Sequence, residues 1–370
     1  MLPRPLQRHG GESYDRLMAQ QRAEGTEWDV IVVGAGIIGC AVAREVAVRG
    51  AKTMILEGRS AGAGATHASA GVLAPYIEAP SDGPLHALTV ESLGLYDDFI
   101  KNVAQESSLP IEYRRCGTLE LAHDSNAAEQ LQTLCEWIRS KGVEAQWIES
   151  PGVARLEPAL GPTSGGLLVP SHGYVRAAQL TDALLDASRR YGAEAHLGRR
   201  VDSITGEGDR AIVTSGDDTY RARTVVVAAG SWSSELARET DVAPVRGQLL
   251  HVRWQGPPLQ RILWSESCYL VPWLDGTLLV GATVEQVGFD ERVTAGGVKT
   301  LLNAASAVLP GVSDATFVEA RVGLRPSTPS GLPIIRRSAR HSALIYATGH
   351  FRNGILLAPL TATVVADLIA

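Results

Sequence analysis

Residues 28–59 read WDVIVVGAGIIGCAVAREVAVRGAKTMILEGR, and the fold is decided there. Residues 29–33 predict a short apolar strand of the kind a parallel sheet buries on both faces. Glycines follow at once. Apolar residues then recur at helical spacing as far as Arg49, and Gly50 is placed to stop the helix. KTMILE predicts the second strand, which completes a βαβ unit. Inside this unit Gly34, Gly36 and Gly39 spell GxGxxG between strand and helix. The first glycine permits a tight turn, the second lets backbone approach a pyrophosphate, and the third lets helix and strand pack closely. The helix N-terminus adds free N–H groups and partial positive charge. Glu57 ends the second strand eighteen residues after Gly39, where it can accept hydrogen bonds from ribose hydroxyls. Its charge repels a 2′-phosphate, which argues against NADP.

Working outward, TVVVAAGSW (224–232) and SALIYATGH (342–350) are further parallel-type strands. Each ends in small residues and glycine, so the carboxyl ends are expected to face one ligand. YGAEAHLGRRVDSI predicts another strand around Val201. At 370 residues the chain suggests two domains, and these strands make the nucleotide domain discontinuous. The expected division is a polar extension over 1–27, a nucleotide domain over 28–86, 172–243 and 322–370, and a second domain over 87–171 and 244–321. The second domain should hold an antiparallel sheet. EYRRCGTLELA and RGQLLHVRW show period-two character, and CYLVPWLDGTLLVGAT predicts a hairpin turning at Asp275-Gly276. GGVKTLLNAASAVLP puts Val298, Leu301, Leu302, Ala305, Val308 and Leu309 on one helical face.

Composition narrows the partners. With 34 basic and 40 acidic side chains the formal charge is −6, and no basic block suggests nucleic acid or an anionic membrane surface. Apolar runs near 30–43 and 355–366 are too short to span a bilayer. The first residues carry charges throughout, unlike a signal peptide. Cys40, Cys116, Cys135 and Cys268 show no metal-ligand spacing and read as reduced thiols of a cytoplasmic protein.

GRSAGAGATHASAGVLAP (58–75) separates FAD from NAD. A run of such small residues suits a backbone that follows a diphosphate and an isoalloxazine edge. Only one GxGxxG is present, so no second nucleotide is expected to reduce the flavin. Electrons should come from the substrate and leave to oxygen or another small acceptor.

These residues resemble the FAD-dependent amine oxidases of the D-amino acid oxidase superfamily, above all the glycine oxidase branch that serves thiamine biosynthesis. VIVVGAGIIG, ATHASAGVLAP, CYLVP, LLVGAT, GLRPSTPSGLPII and GHFRNGILLAP carry the resemblance over residues 29–370. It implies an α/β fold: a Rossmann-like FAD-binding domain and an α+β substrate domain with an antiparallel sheet. It also implies FAD contacts from Ile37, Ile38, Glu57, Gly58, Ala65, Thr66, Ala70, Gly71 and Val72, and from Val201 through its backbone. His350, Phe351, Arg352, Asn353, Gly354, Ile355 and Leu356 would wrap the isoalloxazine. Val72 stands where the family can have a larger methionine. Sarcosine oxidases tether FAD through a cysteine near the site matching GLRPST. No cysteine lies between 269 and 370, so FAD should be non-covalent.

The resemblance assigns the substrate carboxylate to Arg325, Tyr269 and Arg352. A planar guanidinium matches a carboxylate with two parallel bonds. Arg352 has no acidic residue within ten positions on its N-terminal side, and beyond it the nearest carboxylate is Asp367. A charge in apolar sequence needs a partner. The substrate carboxylate and the electron-rich end of reduced flavin are candidates, and a helix beginning after Asn353 would add positive potential there. His350 and His67 read as packing residues, and no metal cluster or Ser–His–Asp pattern is evident. The implied reaction converts glycine, oxygen and water to glyoxylate, ammonia and hydrogen peroxide. A sarcosine or D-amino acid oxidase or dehydrogenase is the alternative, a non-catalytic flavin subunit a second, and a homo-oligomer is expected.

Overall fold

A computed structural model describes residues 27–370. The polar extension therefore lies outside the described residues except for Glu27, which opens the first strand. The βαβ unit forms as its sequence predicts: strand β1 (Glu27–Val33), helix α1 (Ile37–Val48) and strand β2 (Thr53–Glu57). α1 buries nearly its whole length because small residues on it face other helices. Gly39 faces the turn after β1 instead, and a Cβ there would overlap the Gly34 carbonyl.

Around this unit the first sheet runs in the order Glu194–Leu197, β2, β1, Asp218–Val227, Leu344–Thr348, Ile334–Arg337, and the antiparallel strands Ser203–Glu207 and Arg210–Ser215 branch from Asp218–Val227. The four pairings from the first of these to Leu344–Thr348 are parallel, and Ile334–Arg337 closes one edge antiparallel. Register aligns Val33 with Val227, and Val227 with Tyr346. The strands ending at Val33, Val227 and Thr348 therefore finish along one sheet edge, as expected for parallel strands serving one ligand. Val201 departs from its expected strand. Gly198 has φ +76° and ends the strand at Leu197, leaving Val201 buried in the loop before Ser203–Glu207.

The second sheet runs Thr316–Ser327, Ala243–Arg253, Thr277–Gly281, Tyr269–Pro272, Ile262–Trp264, Thr118–Ala122, Gly165–Val169, Gln146–Ile148. Every pairing is antiparallel except that of Ile262–Trp264 with Thr118–Ala122. The hairpin turns at Asp275-Gly276, with Gly276 at φ +79°. Helix Ala295–Val308, capped by the Thr294 hydroxyl, buries Leu301, Ala305 and Val308 against one face of this sheet.

Two segments cross the expected division. Strand Thr316–Ser327 pairs with Ala243–Arg253 beyond residue 321, so Arg325 belongs to the second sheet. Helix Pro84–Glu106 falls mostly in the 87–171 interlude, yet its Leu93, Tyr96, Phe99, Ile100 and Val103 join the core around α1. The C-terminal helix Gly354–Ile369 explains why. Pro359 inside it has no N–H for the Ile355 carbonyl. The Tyr96 hydroxyl donates to that carbonyl at 2.6 Å, and Ser92 donates to Leu356 at 2.6 Å. No helix among the described residues is long and apolar enough to cross a membrane.

Candidate active site

The aligned strand ends open into a cleft of about 530 Å³, within the usual size range for ligand sites. Its chemistry is mostly that of the backbone. Gly34 turns the chain at φ +106°. Gly36 precedes α1 without any side-chain cap, so leading N–H groups of the helix are left for an outside acceptor. Thr66 closes over this end and accepts from the Ile37 N–H at 3.1 Å. Glu57 accepts from the N–H groups of Ala35 at 2.8 Å and Arg59 at 2.7 Å. A carboxylate has about four acceptor sites, so Glu57 can still take ribose hydroxyls. A dinucleotide fits these residues.

Most of the expected cofactor positions line this cleft: Gly34, Gly36, Ile37, Ile38, Glu57, Gly58, Ala65, Thr66, Val201, His350, Phe351, Arg352, Gly354 and Ile355. Others do not line it. Ala70 is buried among Trp264 and Val271, and Val72 pairs with Tyr174 in a small third sheet. A Cβ on Gly71 would overlap the Val175 carbonyl. Asn353 is buried before the last helix, and Leu356 is buried within it. His350 is also buried, its Nε2 3.0 Å from the Thr361 hydroxyl, and burial lowers its pKa to about 3. It stays neutral at ordinary pH, in keeping with a packing role. Arg59 and Trp232, which the sequence did not single out, stack at 4.7 Å on the cleft wall, and Arg59 bridges to Glu291 at 3.1 Å.

Beside the cleft stands a second cluster, made of side chains. Arg352 follows Phe351, whose φ of +48° lies in a region bulky residues rarely adopt. The Phe351 N–H donates to the Pro326 carbonyl at 2.9 Å, which ties this turn to the strand carrying Arg325. Arg352 then meets Glu78 at 3.0 Å, from the short helix Pro75–Glu78. Glu78 is the partner the sequence left unnamed. It is only 12% exposed; burial raises its pKa, and the Arg352 guanidinium opposes that shift. A signal was available, because Glu78 has no lysine or arginine between Arg59 and Lys101 to pair with along the chain.

Arg325 is different. Its Nη1 donates to the carbonyls of Thr283 at 2.9 Å and Arg246 at 3.4 Å, and it makes no ion pair among the described residues. Glu319 on its own strand bridges to Arg321 instead. Burial and the positive charge of Arg352 both disfavour the Arg325 cation, with Tyr269 and Glu78 acting the other way. Tyr269 is near enough to feel both guanidiniums, yet burial dominates and raises its phenol pKa. Trp264 stacks on Tyr269 at 5.0 Å and also lies 5.8 Å from Arg352. The result is a partly enclosed site with one uncompensated guanidinium, a neutral phenol and an aromatic wall.

A dinucleotide turn beside a guanidinium without an ion pair, on an antiparallel sheet, fits a two-part flavoprotein oxidoreductase. The chain belongs to the FAD dependent oxidoreductase family, which it matches over residues 29–368. It is 33% identical over 349 residues to the glycine oxidase of Geobacillus kaustophilus, covering 92% of this chain and 93% of that one. It is 35% identical over 349 residues to the bifunctional protein ThiO/ThiG of Trichormus variabilis, covering 92% of this chain and 52% of that longer protein. The crystal structure of glycine oxidase from Geobacillus kaustophilus superposes with a TM-score of 0.90 at 33% identity, covering 93% of this chain and 94% of that one.

Proposed function

We propose that this chain holds FAD without a covalent bond and oxidises glycine and similarly small amines. Glycine, oxygen and water become glyoxylate, ammonia and hydrogen peroxide, and the oxidation serves the thiazole of thiamine. The observation that carries this reading is Arg325: a guanidinium partly shielded from water, without a carboxylate partner, beside a dinucleotide cleft. Whole-length similarity to glycine oxidases supports the substrate.

Arg325 takes the substrate carboxylate with two parallel charge-assisted bonds. Its hold on the Thr283 carbonyl orients the guanidinium before substrate arrives. Tyr269, kept protonated by burial, donates its hydroxyl to the same carboxylate. Arg352 adds charge at the flavin side while Glu78 fixes its direction. Trp264 and Tyr269 exclude water and limit the room for a side chain on the α-carbon. When bound, FAD supplies the two-electron oxidation of the carbon–nitrogen bond. The protein contributes orientation and an anchored carboxylate.

A cytoplasmic homo-oligomer completes the proposal. Four free cysteines, three of them buried, support the compartment, and gel filtration tests the assembly. Anaerobic mixing of the yellow protein with glycine should bleach the flavin, and admitted oxygen should restore it with release of peroxide. Bleaching by sarcosine or D-alanine at least about tenfold faster than by glycine would transfer the reading to those substrates. Acid precipitation should leave all colour in the supernatant.

A further inference from the structure

The face of the second sheet that carries Arg325 and Tyr269 is interrupted by two glycines that no left-handed φ explains. Neither Gly247 nor Gly281 has a φ in the left-handed region; Gly247 lies inside Ala243–Arg253, and Gly281 ends Thr277–Gly281 ahead of a cis peptide bond to Ala282. What each of them faces is a side chain. A Cβ on Gly281 would overlap the Tyr269 ring at Cζ, Cε2 and the hydroxyl oxygen. A Cβ on Gly247 would overlap the Arg325 guanidinium at Cζ and both terminal nitrogens.

Register accounts for both overlaps. Tyr269 stands directly opposite Gly281 across the antiparallel pair. Cross-strand neighbours are only about 5 Å apart at Cβ, so a long side chain facing a glycine can lie down on bare backbone. Trp264, opposite Tyr269 on its other side, closes the slot with a stack at 5.0 Å and 26°. Val245 is the partner of Arg325, which puts Gly247 diagonally beside it on the same face. The guanidinium reclines there, between the Arg246 and Thr283 carbonyls.

We propose that Gly247 and Gly281 are positioning residues: niches that lay Arg325 and Tyr269 flat on the sheet and so set where the substrate carboxylate is held. An alanine at either position would lift its side chain out of register with the carboxylate while leaving the nucleotide cleft intact. The kinetic part of this inference rests on the glycine-oxidation reading, whereas the steric part does not.

Two double-mutant cycles test it, on the FAD-loaded full chain. Gly281→Ala is compared in wild type and in Tyr269→Ala, and Gly247→Ala in wild type and in Arg325→Ala. Melting temperature, FAD content and the KM and kcat for glycine are measured in each. In the wild-type background each glycine variant should raise KM by about tenfold and lower the melting temperature, as overpacking does, with FAD content unchanged. With the facing side chain already removed, the same alanine should change KM by less than about twofold and restore the melting temperature. If Gly281→Ala alone fails to fold, folding of Gly281→Ala/Tyr269→Ala supports the niche, and failure of both overturns it. Equal losses in both backgrounds would mean a backbone role and overturn the proposal. Coupling in melting temperature with no change in KM would overturn the positioning role. Should wild type not oxidise glycine, the functional reading falls, while the melting cycles still decide the niches.

Discussion

The two ends of the site are built in opposite ways. At the nucleotide end, the ligand surface is chiefly backbone: Gly34, Gly36 and uncapped N–H groups of α1, drawn from one contiguous turn. At the carboxylate end it is side chain: Arg325, Tyr269, Trp264 and Glu78 come from four separate elements, and Arg352 from the turn before the last helix. The first depends on glycines that let backbones approach. The second depends on a sheet register that brings distant strands level. Damage should therefore travel differently from each end.

Gly39→Ala should break the nucleotide end most completely. Its Cβ would overlap the Gly34 carbonyl, so α1 must move away from β1. We expect the variant to be purified with little or no yellow FAD and to lose at least about 2 kcal/mol of stability. A fully yellow Gly39→Ala protein of wild-type melting temperature would contradict this account.

Arg325→Ala should show the reverse pattern. Each charge-assisted bond contributes roughly 1.5–3 kcal/mol, and about 1.4 kcal/mol is tenfold in equilibrium. Losing two should weaken glycine by at least about a hundredfold while FAD content stays near normal. Titration of glycine against the reduced or inhibited enzyme and absorbance of the bound flavin measure the two halves. Near-normal glycine affinity would remove Arg325 from the site.

Arg352 stands between the ends, and its loss should be smaller and shared. The side chain is about one-third exposed and already paired with Glu78, so solvent screening reduces what it adds. Arg352→Ala should weaken glycine by about tenfold and lower the flavin reduction potential as well. An unchanged potential would confine Arg352 to the substrate side.

The smallest effect concerns Glu120, on the same sheet face as Trp264 and in register with it. One of its oxygens is buried without a partner, and burial raises its pKa to about 7. A carboxyl whose folded pKa exceeds its unfolded value favours the folded state while protonated. That contribution is present below the ordinary carboxylate range and is lost as pH rises toward about 7. Glu120→Gln should therefore melt about 2–4 °C above wild type at pH 8, with the gap closing toward pH 5. A gap that widens on acidification would reverse the sign of this argument.

Much of the nucleotide end was legible because its information is local. Strand, GxGxxG, helix and Glu57 occupy thirty consecutive residues, and each glycine has a reason that does not depend on the rest of the chain. Arg325, Tyr269 and Arg352 were reached through resemblance, and their grouping could not be read from spacing. A strand is expected around Val201, but Gly198 ends it earlier, at Leu197. Helix Pro84–Glu106 falls mostly within 87–171, the stretch expected to belong to the second domain. Tyr96 and Ser92 tie it instead to a proline-bearing helix more than 250 residues away.

By itself the sequence determined that the chain would bind a dinucleotide, because a tight turn, a close backbone approach and a helix N-terminus are properties of neighbouring residues. It also exposed Arg352 as a charge in need of a partner. Only the tertiary structure decided that the partner is Glu78 and that Arg325 has none among the described residues. Sheet register likewise decided that Tyr269 rests on Gly281 and Arg325 beside Gly247. Charge pairing and steric fit are set by distances across strands, and those follow from how the sheet aligns rather than from how far apart the residues lie in the chain.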